Sequence, residues 1–298
     1  MVAAGVPGAA FSRDPSAVAF GRVERLTDRV WLVVERDDDA PVFLYVVVGA
    51  SRVLLVDSGA GGEPYGDWLD GFLMGAAGLD AAARPRTCVN LDGNLRHVGG
   101  NGSLGAATTI AASGRDRAFT AAARDAARRE ARRRGRRDLE PYDVGAWLDD
   151  GASLDLGGGD AVRVVQTPGH APDALCLWYA RDAMLFAGDL VRPRAPVDLA
   201  RDGGDLVQYL ASLVKLNALL AGRAFVVACG RGSADLPGAA LLDLQALVDD
   251  AITGAATPGP PPDGLEGHLF ARGDLAFTTR RGRYEAPVPE ARPPPTPR

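Results

Sequence analysis

Lysine is almost absent from this chain of 298 residues: Lys215 is its sole example, and histidine is confined to His97, His170 and His268. Any site built on imidazoles has little to draw on. Cysteine is scarce too. Cys88, Cys176 and Cys229 lie in apolar runs without C-x-x-C spacing, which reads as core thiols rather than metal ligands or disulfide halves and fits a reducing cytoplasm. No apolar run reaches the ~18 residues of a membrane-spanning helix. The apolar N-terminus lacks a basic start and is broken by Pro7, Gly8 and Pro15, which argues against a signal peptide. An excess of positive charge is also missing. The net charge of -5 speaks against a general nucleic-acid or membrane-surface binder, either of which wants a broadly basic face.

What is present is ample apolar material, 47% of residues, enough for one large domain or two small ones. Two β-like runs, RVWLVVER (29–36) and VFLYVVVG (42–49), flank DDDAP, and RVLLVDSG (52–59) follows, predicting a consecutive antiparallel start. Trp68, Leu69, Phe72 and Leu73 then fall at helical spacing, and RPRTCVNLDG is a short strand running into a loop. Residues 115–137 carry ten arginines against three acids. Strong helix formers and weak apolar periodicity predict a solvated surface helix there, with arginine standing in for the missing lysine. Two strands are expected across the glycine turn in GASLDLGGGDAVRVVQ and two more across ARDA. An amphipathic helix follows from Asp205, then the strand AFVVACGRG and a last helix over 238–253. Two β-rich halves, each capped by helices, predict a layered α/β sandwich over residues 22–254. Residues 255–298 read as a Pro-rich linker and C-terminal tail, largely disordered, with room for a hairpin in GHLFARGDLAFTTRRGRYE.

Polar residues cluster where the predicted strands end: Asp57 in VDSG, Asp92 to His97 in DGNLRH, His170 in TPGH, Asp189 in AGDL and Arg231 in CGRG. Carboxylates and imidazoles at strand ends converge on one sheet edge, as in metal hydrolases. Gly100-Asn-Gly-Ser-Leu-Gly105 also fits the G-x-G-x-x-G dinucleotide pattern, but it does not open directly from a strand and no acid-bearing strand follows about 20 residues on.

In order and approximate spacing, VDSG, HVGGN, TPGH, FAGD and CGRG resemble the metallo-β-lactamase superfamily, over about residues 22–253. DRVWLVVER, LLVDSG and the helix after GDLV are similar to its acyl-CoA thioesterase-like branch. The resemblance implies a four-layer αβ/βα sandwich whose one or two zinc ions activate a water for hydrolysis. It also implies a set of site positions. The family's His-x-His-x-Asp-His-x-Gly-Gly loop reads here Asp92-Gly-Asn94-Leu-Arg96-His97-Val-Gly99-Gly100. His170 matches a further ligand, Asp189 the bridging aspartate, and Arg231 stands where the last histidine is expected.

One metal would then use Asp92, Asn94, His170 and Asp189, the other Arg96, His97, Arg231 and Asp189. A guanidinium stays protonated, and ~4 Å from a divalent ion it costs about 8 kcal/mol at an effective dielectric of 20. The expectation is therefore that zinc has been lost. Arg96 and Arg231 would pair with Asp189, Asp92 and Asp57 in a catalytically impaired pseudo-site. Simpler roles are also open: Asp57 bracing loop backbone, His97 capping a helix start, His170 bonding a neighbouring acid. Two other functions remain in play. One is a single-zinc hydrolase of esters or thioesters using Asp92, His170 and Asp189. The other is a binding protein for an anionic nucleotide or CoA-like ligand held by Arg96, Arg231, Arg192 and Arg194. The partner is expected to be a small acyl or anionic molecule, with neither nucleic acid nor membrane.

Overall fold

A computed structural model describes residues 20–37, 40–62, 65–75, 84–134, 139 and 141–280. The first sheet takes its seven strands in chain order: β1 (Phe20–Arg25), β2 (Val30–Glu35), β3 (Val42–Val48), β4 (Val53–Val56), β5 (Arg86–Val89), β6 (Thr108–Ser113) and β7 (Ala146–Leu148). Pairing is antiparallel from β1 to β4 and parallel from β4 to β7. Helices α1 (Tyr65–Gly75), α2 (Leu95–Val98) and α3 (Arg117–Arg133) fall within the span of this half.

The second sheet uses β8 (Ser153–Gly157), β9 (Asp160–Gln166), β10 (Leu175–Tyr179), β11 (Met184–Gly188), β13 (Val226–Cys229) and β14 (Leu236–Pro237), in the order β14-β13-β11-β10-β9-β8. Helices α4 (Leu206–Leu219) and α5 (Ala239–Thr253) cover it.

Strand periodicity builds the layers. In β2, Val30, Leu32 and Val34 face Val162, Val164, Leu175, Leu177 and Phe186 of the second sheet, whereas Trp31 and Val33 face Leu69, Phe72 and Leu73 of α1. Period-two alternation with both faces apolar makes each sheet an inner layer. The result is helix, sheet, sheet, helix. The outer face of the second sheet, with Cys176, Leu185 and Val227, packs on Leu213, Leu216, Leu241 and Leu244 of the two helices.

Two expectations need correction. The segment after residue 254 is not a tail throughout: the hairpin for which the sequence left room is present. Strands β15 (His268–Arg272) and β16 (Leu275–Thr279) form a hairpin that pairs with β12 (Val197–Asp198). Phe270 and Phe277 are buried in the α4–α5 core, so apolar burial ties the hairpin to the domain; residues 281–298 lie outside the described residues. Nor is α3 a freely solvated helix. Its Ala127 and Ala131 pack on Leu95 and Val98 of α2, because alanines four residues apart form a thin apolar stripe on one helix face.

Candidate functional site

The loops after β4, β5, β9, β11 and β13 carry Asp57, Asp92, His170, Asp189 and Arg231. Tertiary hydrogen bonds hold their ends together: Tyr45 Oη donates to Cys229 O at 2.6 Å and Phe43 N to Gly230 O at 2.8 Å, joining the first sheet to the loop that bears Arg231.

The stretch from Asn90 to Asn101 is braced by main chain. Asn90 Nδ2 donates to His97 O at 2.8 Å, and Asn101 Nδ2 to Asn90 Oδ1 at 2.8 Å. Ser58 N also donates to His97 O, and Gly99 N to Gly59 O. A Cβ on Gly99 would sit 2.3 Å from Ala60 C, and one on Gly100 2.2 Å from Ser58 O. The glycine pair therefore serves close backbone approach between two loops. Residues 101–104 form a single 3-10 turn.

Three carboxylates, Asp57 and Asp92 buried and Asp189 partly so, meet the imidazoles and Arg231 here. Asp57 has φ of 64°, a left-handed conformation that a non-glycine residue adopts at a cost. Its Oδ1 accepts from Leu91 N at 2.8 Å and its Oδ2 lies 2.7 Å from His97 Nδ1. Asp92 Oδ2 lies 2.8 Å from His170 Nε2, and its Oδ1 accepts from both Asn94 N and Asn94 Nδ2 at 2.7 Å. Arg231 Nη2 donates to Asp189 Oδ2 at 2.6 Å. His97 Nε2 is 3.6 Å from Asp92 Oδ2 and 3.9 Å from Asp189 Oδ2.

Burial opposes charge on His97, but Asp57, Asp92 and Asp189 hold its ring well above the usual imidazole range. Burial likewise opposes charge on Asp92, and His97 and His170 outweigh it to keep the carboxyl below its usual range. On Asp189 burial is overcome by Arg231, with help from His97 and Arg192.

The structure thus gathers Asp57, Asp92, His97, His170, Asp189 and Arg231, but it corrects the pairing expected for Arg96. Arg96 Nε donates to Asp37 Oδ2 at 2.7 Å. Its partner comes from the β2–β3 turn, because Asp37 is fully buried there and demands a cation. Arg134 approaches the same oxygen at 3.8 Å. His97 does not cap α2 either: Asn94 holds the N-cap position and His97 lies within the helix, its ring turned onto Asp57. Arg194 points elsewhere, donating to Gly232 O at 3.1 Å.

Residues that the sequence did not single out also belong here. Asp173 is buried beside Asp92, accepts from Thr120 Oγ1 at 3.1 Å, and is pushed up to about 7 by burial and by the Asp92 charge. Its position three residues after His170 was its only sequence signal. A cavity of about 700 Å³ opens over Asn94, Asp189, Arg192 and Arg231, with Phe119, Ala123 and Ala126 of α3 along one wall. Lone-pair donors for a cation exist at Asp92, His97, His170 and Asp189; Arg96 and Arg231 have none to offer.

A family model described as the metallo-beta-lactamase superfamily matches residues 97–228. Two solved structures overlay on 77% of the chain, each with a TM-score of 0.56. One is a metallo-beta-lactamase from Pontibacter korlensis, 16% identical and covered over 99% of its length. The other is the metallo-beta-lactamase FIM-1 from Pseudomonas aeruginosa in its mono-zinc form, 18% identical and covered over 95%. The chain has the metallo-β-lactamase fold. In this metallo-β-lactamase-fold chain the family match starts at His97 and stops short of Arg231, so Asp92, Asn94, Arg96 and Arg231 all fall outside it. Among curated proteins, hydroxyacylglutathione hydrolase of Francisella tularensis subsp. novicida (strain U112) is 32% identical over 82 residues. That match spans 28% of this chain and 31% of that protein, so the chain covers less than a third of the relative.

Proposed function

We propose that this chain is a metal-independent, catalytically impaired relative of the metallo-β-lactamase-fold hydrolases, with ion pairs holding the strand-end loops where the family uses zinc. One observation carries the reading: the Arg231 guanidinium lies 2.6 Å from Oδ2 of Asp189, the carboxylate that the sequence resemblance sets in the bridging role. A guanidinium cannot coordinate a cation, and beside one it is repulsive. Both oxygens of Asp92 already accept hydrogen bonds. In this reading the donor set does not fit a two-zinc centre: Asp57 pairs with His97, Asp189 with Arg231, and Asp92 is hydrogen-bonded to His170 and Asn94.

Elemental analysis of the purified protein tests this directly. The expected result is well under one zinc per chain and a melting temperature indifferent to chelator. One zinc or more per chain, with destabilisation on chelation, would remove the proposal.

A second reading, a single-zinc hydrolase of esters or thioesters, is favoured by the buried His97 Nε2 and Asp189 Oδ1, which lack hydrogen-bond partners. The name of the curated relative, hydroxyacylglutathione hydrolase, points the same way. Metal-dependent ester or thioester cleavage abolished by Asp189→Ala would establish it in place of the first. The thioesterase-like branch stands or falls with that assay.

A further inference from the structure

The cavity over Asp189 has a cation whose donor is not used. Arg192 lies in the loop after β11, within the cavity lining, and its buried Nε has no hydrogen-bond partner. Among the described residues Arg192 makes no ion pair. Its neighbours behave differently: Arg231 is bonded to Asp189, Arg96 to Asp37, Arg133 to Glu130, and Arg201 to Asn94. Arg192 is also crowded. Burial disfavours its charge first; Asp189 and Asp198 act to hold it, whereas Arg231 and Arg96 add like-charge repulsion. A buried guanidinium donor without an acceptor costs free energy unless something supplies one.

The rest of the lining says what chemistry would. Seven arginines and five carboxylates line the cavity, an excess of positive charge close to the charge of about -1.5 to -2 on a phosphomonoester at neutral pH. The wall formed by Phe119, Ala122, Ala123 and Ala126 is neutral and apolar, suited to the uncharged body of a ligand rather than to a bare ion. At about 700 Å³ the space is that of an ordinary small-molecule site.

We propose that this cavity binds a phosphate-bearing small molecule of nucleotide size, with the phosphate seated on Arg192 and the body lying along the alanine face of α3. The proposal deepens the metal-independent reading and rests on it in one respect: Asp189 stays paired with Arg231, which leaves Arg192 to the ligand. Planar guanidinium forks bind phosphate oxygens in pairs, and a small ligand covering Asp189 needs no metal to be retained.

Calorimetric titration of the full chain in chelator, with ADP and separately with inorganic phosphate, tests it. ADP is expected to bind more tightly than inorganic phosphate, and to weaken as salt is raised. Arg192→Gln should weaken ADP by ~10-fold or more, the scale of a lost charge-assisted contact, at a ligand-free melting temperature no lower than that of the parent chain. Arg192→Lys, which keeps the charge and loses the fork, should fall between. Arg194→Gln, whose parent side chain bonds Gly232 O instead, should leave binding unaltered. Ala126→Trp should block ADP and spare inorganic phosphate.

No ADP binding, ADP no tighter than inorganic phosphate, or equal binding by Arg192→Gln and Arg192→Lys to that of the parent chain would each overturn the proposal. The two readings fail separately. Zinc in the purified protein with ADP binding intact in chelator removes metal independence alone; no zinc and no ADP binding removes the ligand alone.

Discussion

Arg96 and Arg231 were both expected from the sequence to enter one site, yet they meet opposite surroundings. Arg231 turns inward onto Asp189 and joins the centre of buried charge. Arg96 is bonded to Asp37 in the β2–β3 turn, an acid that Arg134 also approaches. The same residue type thus closes the site in one case and ties a neighbouring turn to α2 in the other. The lesson is that an arginine's partner is set by whichever buried carboxylate its long stem can reach.

Arg231→Met should be the costliest break in that comparison. It leaves Asp189 buried with its main cation gone, a loss of about 3–5 kcal/mol in denaturant unfolding at neutral pH. Gly100→Ala comes next at about 1–3 kcal/mol, because the added methyl meets the Ser58 carbonyl oxygen and two loops must separate; an unchanged midpoint would show that the glycine frame is not needed.

Asp173→Asn acts with a sign set by pH. The folded pKa of Asp173 is raised to about 7 from an unfolded value of about 3.9. Its favourable contribution is therefore full below that unfolded value and is lost as pH rises toward 7. The asparagine variant should be more stable than the parent at pH 8, by about 1–2 kcal/mol, and should show a flatter melting-temperature profile between pH 4 and pH 8. Identical profiles would remove the account of Asp173 as a strained neighbour of Asp92. Arg96→Met should cost least, about 1 kcal/mol, since Arg134 remains near Asp37. Equal losses for Arg96→Met and Arg231→Met would erase the distinction between the two arginines.

Much of the fold was legible along the chain. Alternation in RVWLVVER and VFLYVVVG foretold strands buried on both faces, and the strand-end motifs placed Asp57, His97, His170 and Asp189 on one edge. Strands β1, β6 and β7 went beyond the pattern; β6 reads TTIAAS and β7 only AWL, too short or too polar to announce themselves. Asp37 sat in the acidic stretch between two strands and Asp173 in a loop, neither with a periodicity that marks a site residue.

By itself, then, the sequence determined the layers, the glycine pair and which lone-pair donors survive, because these follow from spacing along one strand or one turn. Only the tertiary structure decided where the arginines point, that the alanines of α3 form a cavity wall, and that Phe270 and Phe277 close the core. Those outcomes join residues far apart in the chain: Arg231 with Asp189, Arg96 with Asp37. Which long-range partner a charge takes depends on burial and reach, and neither is written in local periodicity.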